Sequence, residues 1–212
     1  MEFFMEKKKM KLWKKILLLI FIIFILFIII TTIKFFVLTD ILEKNKIGNN
    51  SSNCYYYSET NSTIMEYWRK DNIQKLNTRP VGGTSSITFW KDLSSNEEFT
   101  FWNSENKTYS KTDGGMIEHL PISMYLIDDS FARYIISANP ILFINNTKYE
   151  NKDCYIIKNN NHKYEEIIEK STGLTLYSKN IDEIRKVNYS FNTVTDLDVA
   201  LPDISQYTLV EK

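Results

Sequence analysis

The run ILLLIFIIFILFIII, from Ile16 to Ile30, has no polar break in fifteen positions. It continues through Thr31, Thr32, Ile33 and Lys34 into Phe35, Phe36, Val37 and Leu38. About 20 apolar residues cross a bilayer as a helix, so the stretch from Ile16 to Leu38 is long enough. A lone spanning segment must satisfy its own backbone hydrogen bonds, which requires a helix. The core helix of a water-soluble domain would carry a polar stripe, and none interrupts this run. Residues 41–212 then form the folding unit beyond it, a single-domain length able to bury a core without metals or staples.

The flanks set the expected orientation. Lys7, Lys8, Lys9, Lys11, Lys14 and Lys15 precede the run, and beyond it only Lys34 is basic before Lys44 and Lys46. Basic residues favour the cytoplasmic side, so the amino terminus is expected inside and residues from Lys44 onward outside the cell membrane. Lys34 can snorkel its ammonium to the interface, and the basic tail is drawn to anionic lipid heads. A cleaved signal peptide wants a shorter apolar core and a small-residue site. Here Thr-Thr-Ile-Lys-Phe-Phe follows Ile30, and the first cysteine is Cys54, far from the run. The expectation is an uncleaved signal anchor. It has a cytoplasmic tail at 1–15, a single span at 16–38, an Asn-, Ser-, Lys- and Gly-containing stalk at 39–53, and an extracytoplasmic domain at 54–212.

Charge excludes one class of partner. The whole chain is neutral, but residues 41–212 hold 19 Lys and Arg against 23 Asp and Glu, a net of −4. Nucleic acid requires a basic face, so none is expected as a partner. Cys54 and Cys154 are the only cysteines. Outside the cell a disulfide between them would persist, closing a loop of about 100 residues. Two buried free thiols are the other reading. Spacing does not decide between them, because the bridge depends on the Cα separation.

The domain reads as mainly β. Short runs at 54–59, 63–70, 72–78, 84–91, 97–103 and 107–111 are rich in aromatic and β-branched residues and are separated by turn residues. That pattern marks an antiparallel sheet. Further runs at 141–145, 154–158, 162–170, 173–179 and 185–194 continue it, with Gly173 supplying the positive φ of a tight turn. The last run is the clearest, alternating Val187, Tyr189, Phe191 and Thr193 against Lys186, Asn188, Ser190 and Asn192. One helix is expected where Asp128, Asp129 and Ser130 can cap Phe131, Tyr134, Ile135 and Ala138, with Pro140 ending it. Its apolar stripe is expected to cover one sheet face.

Catalytic signatures are missing. His119 and His162 lack a partner at metal-ligand spacing, and no phosphate-cradling glycine loop, Gly-x-Ser-x-Gly or His-Glu-x-x-His occurs. Glu165-Glu166 and Asp128-Asp129 are adjacent acids, which on a strand would point to opposite faces. No enzyme activity, metal or cofactor is expected. The tryptophans carry more information. Trp68, Trp90 and Trp102 each sit mid-run opposite other large apolar groups, so these strands are greasy on both faces. Both faces then need cover, by protein or by a ligand. Trp68, Trp90, Trp102, Phe101, Tyr189 and Phe191 are the candidate ligand lining; ordinary packed core is the competing reading.

Three segments together carry a family resemblance. They are Cys154-Tyr-Ile-Ile-Lys158, the hairpin from Tyr164 through Glu169-Lys-Ser-Thr-Gly-Leu174 to Tyr177, and Val187-Asn-Tyr-Ser-Phe-Asn-Thr-Val-Thr-Asp196 followed by Pro202-Asp-Ile-Ser-Gln-Tyr207. The chain resembles the LolA-like group of outer-membrane lipoprotein carriers, particularly membrane-tethered relatives from Gram-positive bacteria, over about residues 54–210. The resemblance implies a strongly curved antiparallel half-barrel covered by helix, with an apolar concave face for acyl chains. It departs from the carriers in being tethered, so it could not shuttle between membranes. The implied function is non-enzymatic binding of an apolar or amphiphilic ligand, a lipid or lipoprotein chain. The alternative is a module that docks an envelope protein or senses through it.

Overall fold

A computed structural model describes residues 2–49, 51–111, 127–161 and 163–210, with side chains described from Leu12 in the first helix. Asp113 to Gly115, and the two histidines His119 and His162, lie outside them. Among the described residues the order is α1 (Glu2–Asn49), β1 (Asn53–Glu59), β2 (Thr63–Lys70), β3 (Ile73–Pro80), β4 (Ser86–Asp92), β5 (Glu97–Asn103) and β6 (Thr108–Lys111). Then come α2 (Ser130–Ser137), β7 (Leu142–Tyr149), β8 (Lys152–Asn159), β9 (Tyr164–Glu169), β10 (Thr175–Lys179) and β11 (Ile184–Phe191). A 3-10 turn (Ile204–Gln206) precedes β12 (Thr208–Leu209).

All twelve strands belong to one open sheet, ordered β12-β6-β5-β4-β3-β2-β1-β11-β10-β9-β8-β7. Neighbours are antiparallel except for β12, which returns to lie parallel to β6. The hairpin alternation seen in the sequence is thus the sheet itself. β12 has no such signal, because two residues pair with a strand about 100 positions earlier.

The first helix does two jobs. From Leu12 to Ile30 its side chains are exposed, a length of roughly 28 Å at about 1.5 Å per residue, close to a bilayer's hydrocarbon thickness. It is the one described helix long and apolar enough to cross a membrane. It does not stop at Leu38. Residues 39–49, expected as a stalk, are the last turns of the same helix, and Leu38, Ile41, Leu42 and Asn45 are buried. Leu38, Ile41 and Leu42 pack with Leu142, Ile157 and Ile168 of β7, β8 and β9. The spacing 38, 41, 42, 45 puts all four on one helix face.

Gly173 fixes how closely the helix approaches. It has φ +67°, and a Cβ there would lie 2.3 Å from the Ile41 carbonyl oxygen and 2.7 Å from the Asn45 nitrogen. Asn45 Nδ2 donates to the Gly173 carbonyl at 3.0 Å. The β9–β10 turn and the far end of α1 therefore meet at close backbone approach and are tied by the Asn45 side chain.

The second helix lies where the sequence puts it, with Asp129 as its N-cap accepting from the Ala132 amide at 2.7 Å. Its expected role is corrected. It packs on α1, with the Phe35 and Tyr134 rings 6.2 Å apart, and Lys34 Nζ donates to the Asn139 carbonyl at 3.1 Å. The helix that covers the sheet is α1. Its apolar stripe reaches the strands first, which leaves α2 outside it.

Candidate functional site

Cross-strand register divides the candidate residues between two faces, because directly paired residues share a side. On the face that α1 covers, one row runs Tyr189, Tyr56, Tyr67, Leu76, Phe89, Thr100 and Ser110, strand by strand. A neighbouring row runs Val187, Ser58, Met65, Thr78, Ile87 and Trp102. The third runs Phe191, Cys54, Arg69, Gln74, Lys91 and Glu98. Trp102, Tyr189 and Phe191 belong here. The opposite face carries Tyr55, Trp68, Lys75, Trp90 and Phe99 in one row, with Phe101 in the next. Trp68, Trp90 and Phe101 belong there. The six candidates therefore do not line one site.

The second face is occupied by the chain itself. After β11 the backbone crosses the strands towards β6 as a strap. Trp90 Nε1 donates to the Val199 carbonyl at 2.8 Å, and Lys75 Nζ donates to the Asp198 carbonyl at 2.9 Å. Lys70 pairs with Asp196 at 2.5 Å. Further on, the Tyr207 ring meets Phe101 edge-on at 5.0 Å, and its hydroxyl donates to Asn103 Oδ1 at 2.6 Å. Phe101 is fully buried, and Trp90, Val194 and Val199 are nearly so. A cavity of about 230 Å³ is left beside Trp68, lined also by Tyr55, Thr193, Val194 and Asp198. Of the strap, Pro202 to Tyr207 entered the sequence reading only within the family resemblance.

Burial sets the electrostatics of both faces. Burial, with the Glu66 carboxylate 3.2 Å from its hydroxyl, pushes the Tyr55 phenol up to about 12. Burial also pushes the Lys75 ammonium down, partly opposed by the Asp198 charge. On the helix face Tyr189 donates to the Thr175 carbonyl at 2.7 Å, and burial raises it well above the ordinary tyrosine value. Lys91 and Glu98 form an ion pair at 3.6 Å in which both side chains are largely buried. Gln74 Oε1 and Ser110 Oγ are buried with no hydrogen-bond partner among the described residues.

The two cysteines are free. Cys54 on β1 and Cys154 on β8 are separated by β11, β10 and β9, four strand steps or about 19 Å along the sheet, beyond the reach of a disulfide. Burial raises both thiols. Among the described residues no group of three His, Cys, Asp or Glu is placed to hold a metal. A second, polar cavity of about 550 Å³ is lined by Thr84, Ser85, Asn103, Ser104, Glu105 and Asn106.

No family model and no curated protein matches the chain. Among solved structures it is similar to that of PNGF-II, at 9% identity and a TM-score of 0.33, over 76% of this chain and 32% of that one. A likeness at that level carries no argument about fold or activity.

Proposed function

We propose that this is a membrane-anchored, extracytoplasmic, non-enzymatic module of LolA-like half-barrel type that docks another envelope protein. The observation that carries the reading is the strap. The aromatic surface formed by Trp68, Trp90 and Phe101, the one best suited to an apolar ligand, already packs against the chain's own residues 194–207. Recognition then falls to what the strap presents outward. Leu197 is 85% exposed at a turn held by Asp198, which accepts from the Thr195 amide and hydroxyl at 2.7 Å each. A rigid turn presenting a leucine loses little entropy on docking. The domain is also stiffly joined to its anchor, so a partner bound there is held at a fixed place above the membrane.

Photo-crosslinking from position 197 in intact membranes tests this. Recovery of one stoichiometric protein, lost on replacing Asp198 with Ala, is the expected result. Labelling of lipid alone, or of nothing, sinks the docking role.

One observation favours a second reading. Met65, Ile87 and Trp102 form a half-buried apolar row on the helix face, away from the strands that α1 covers. An amphiphile's chain could lie along it, gaining about 25 cal/mol per Å² of apolar surface withdrawn from water. Co-purification of a lipid lost in Trp102→Ser would select that reading over docking.

A further inference from the structure

The outward side of α2 has no cover among the described residues. Phe131 is 72% exposed and Ile135 55%, with Tyr134 between them also exposed. Their spacing of three and four puts them on one side of the helix, while Arg133 and Ser137 are buried. Three exposed apolar side chains on an eight-residue helix make an unusual surface for a domain facing only water.

Its position in the fold names the occupant. The segment containing α2 runs antiparallel along α1. Asp128 before it pairs with Lys46 at 2.6 Å, and Asn139 after it accepts from Lys34 at 3.1 Å. The carboxy-terminal end of α2 therefore sits at the level of Lys34, four residues past the exposed apolar run that ends at Ile30. At about 1.5 Å per residue that is roughly 6 Å, within the depth of a headgroup layer. On α1 itself Ile33 and Phe36 are exposed at the same level. The exposed apolar side chains of α1 thus extend past Ile30 to the height at which α2 lies. An interfacial helix would bury its apolar side about 5–10 Å into that boundary.

We propose that α2 is seated in the outer lipid interface, with Tyr134 and Ile135 deepest and Phe131 shallower. The domain then rests on the bilayer through two elements instead of hanging from one. This inference rests on α1 being a span, and it goes beyond it by fixing the tilt and height of the sheet above the membrane.

Spin labels on single cysteines introduced at Phe24, Ile135 and Ser171 test it, using the full chain in vesicles of phosphatidylcholine and phosphatidylglycerol. Cys54 and Cys154 are buried, and labelling of the unsubstituted chain sets the background. Collision rates are read with molecular oxygen, which concentrates in lipid, and with a water-soluble nickel chelate. Ser171 lies in the β9–β10 turn at the far end of α1 and serves as the water reference. The expected result is an oxygen-to-nickel ratio at Ile135→Cys several-fold above that at Ser171→Cys and approaching Phe24→Cys. A water-like ratio at 135 with a lipid-like ratio at 24 overturns the seating of α2 and leaves the anchor intact. Protection at 135 from both reagents means cover by protein, such as a second copy, and also overturns it. A water-like ratio at 24 removes the anchor and the inference together.

Discussion

Gly173 combines two demands that no other residue meets. Its φ of +67° is strained for a residue with a side chain, and the α1 backbone occupies the space a Cβ would need. The sequence foretold the first demand from a three-residue turn. The second was invisible, since Ile41 and Asn45 lie about 130 positions away and were read as stalk. Gly173→Ala is expected to cost at least about 2 kcal/mol, combining left-handed strain with overpacking. A denaturation midpoint unchanged from wild type in detergent would contradict the helix–turn contact. Tyr189 gives a second prediction at this scale. Its phenol, like those of Tyr55 and Tyr56, has a raised pKa through burial. The unfolded chain therefore loses these protons first, at about pH 10, while the folded chain keeps them. Stability should be flat with respect to these groups through neutral pH and should fall as pH rises past about 10. Tyr189→Phe removes one such group and the bond to the Thr175 carbonyl. Its melting temperature should be lower at pH 8 and decline less steeply towards pH 11.

Strands were the most legible elements because each is a local pattern. β1, β2, β5 and β11 alternate or bunch large apolar groups between turn residues, and their observed ranges differ from the reading by a few positions at most. The strap and β12 were not legible. Their meaning comes from long-range bonds, the Trp90 indole N–H to the Val199 carbonyl and the Thr208 amide to the Lys107 carbonyl, and nothing local announces such a bond. Of the candidate lining, Trp90 and Phe101 pack against residues 194–207, a long-range contact that no local pattern announces. The division of α1 was missed for a different reason. Leu38, Ile41 and Leu42 suit a bilayer, a loop anchor or a core equally well by composition. Only the sheet beside them decides. Ile41→Ala is expected to cost about 2–5 kcal/mol, as for other buried large-to-small changes. The equally apolar Phe24→Ala should leave the domain's unfolding midpoint in detergent unchanged. Equal effects at the two positions would deny that the helix changes role along its length.

The described residues form an open sheet covered on one face by α1 and on the other by the strap. The amino-terminal helix fills one side at β7, β8 and β9, and the carboxy-terminal strap fills the other across β2 to β6. The exposed apolar segment of α1 and its core-packed turns are one continuous helix, so the domain has no slack relative to that segment. The direct test is amide hydrogen exchange on the full chain in lipid nanodiscs, read at Phe35 to Asn45. Amides there should exchange as slowly as those of β8 and β9, because they open only when the core opens. Exchange as fast as in the exposed Asn180–Glu183 turn, alongside a protected β8 and β9, would mean a loose stalk and contradict the account.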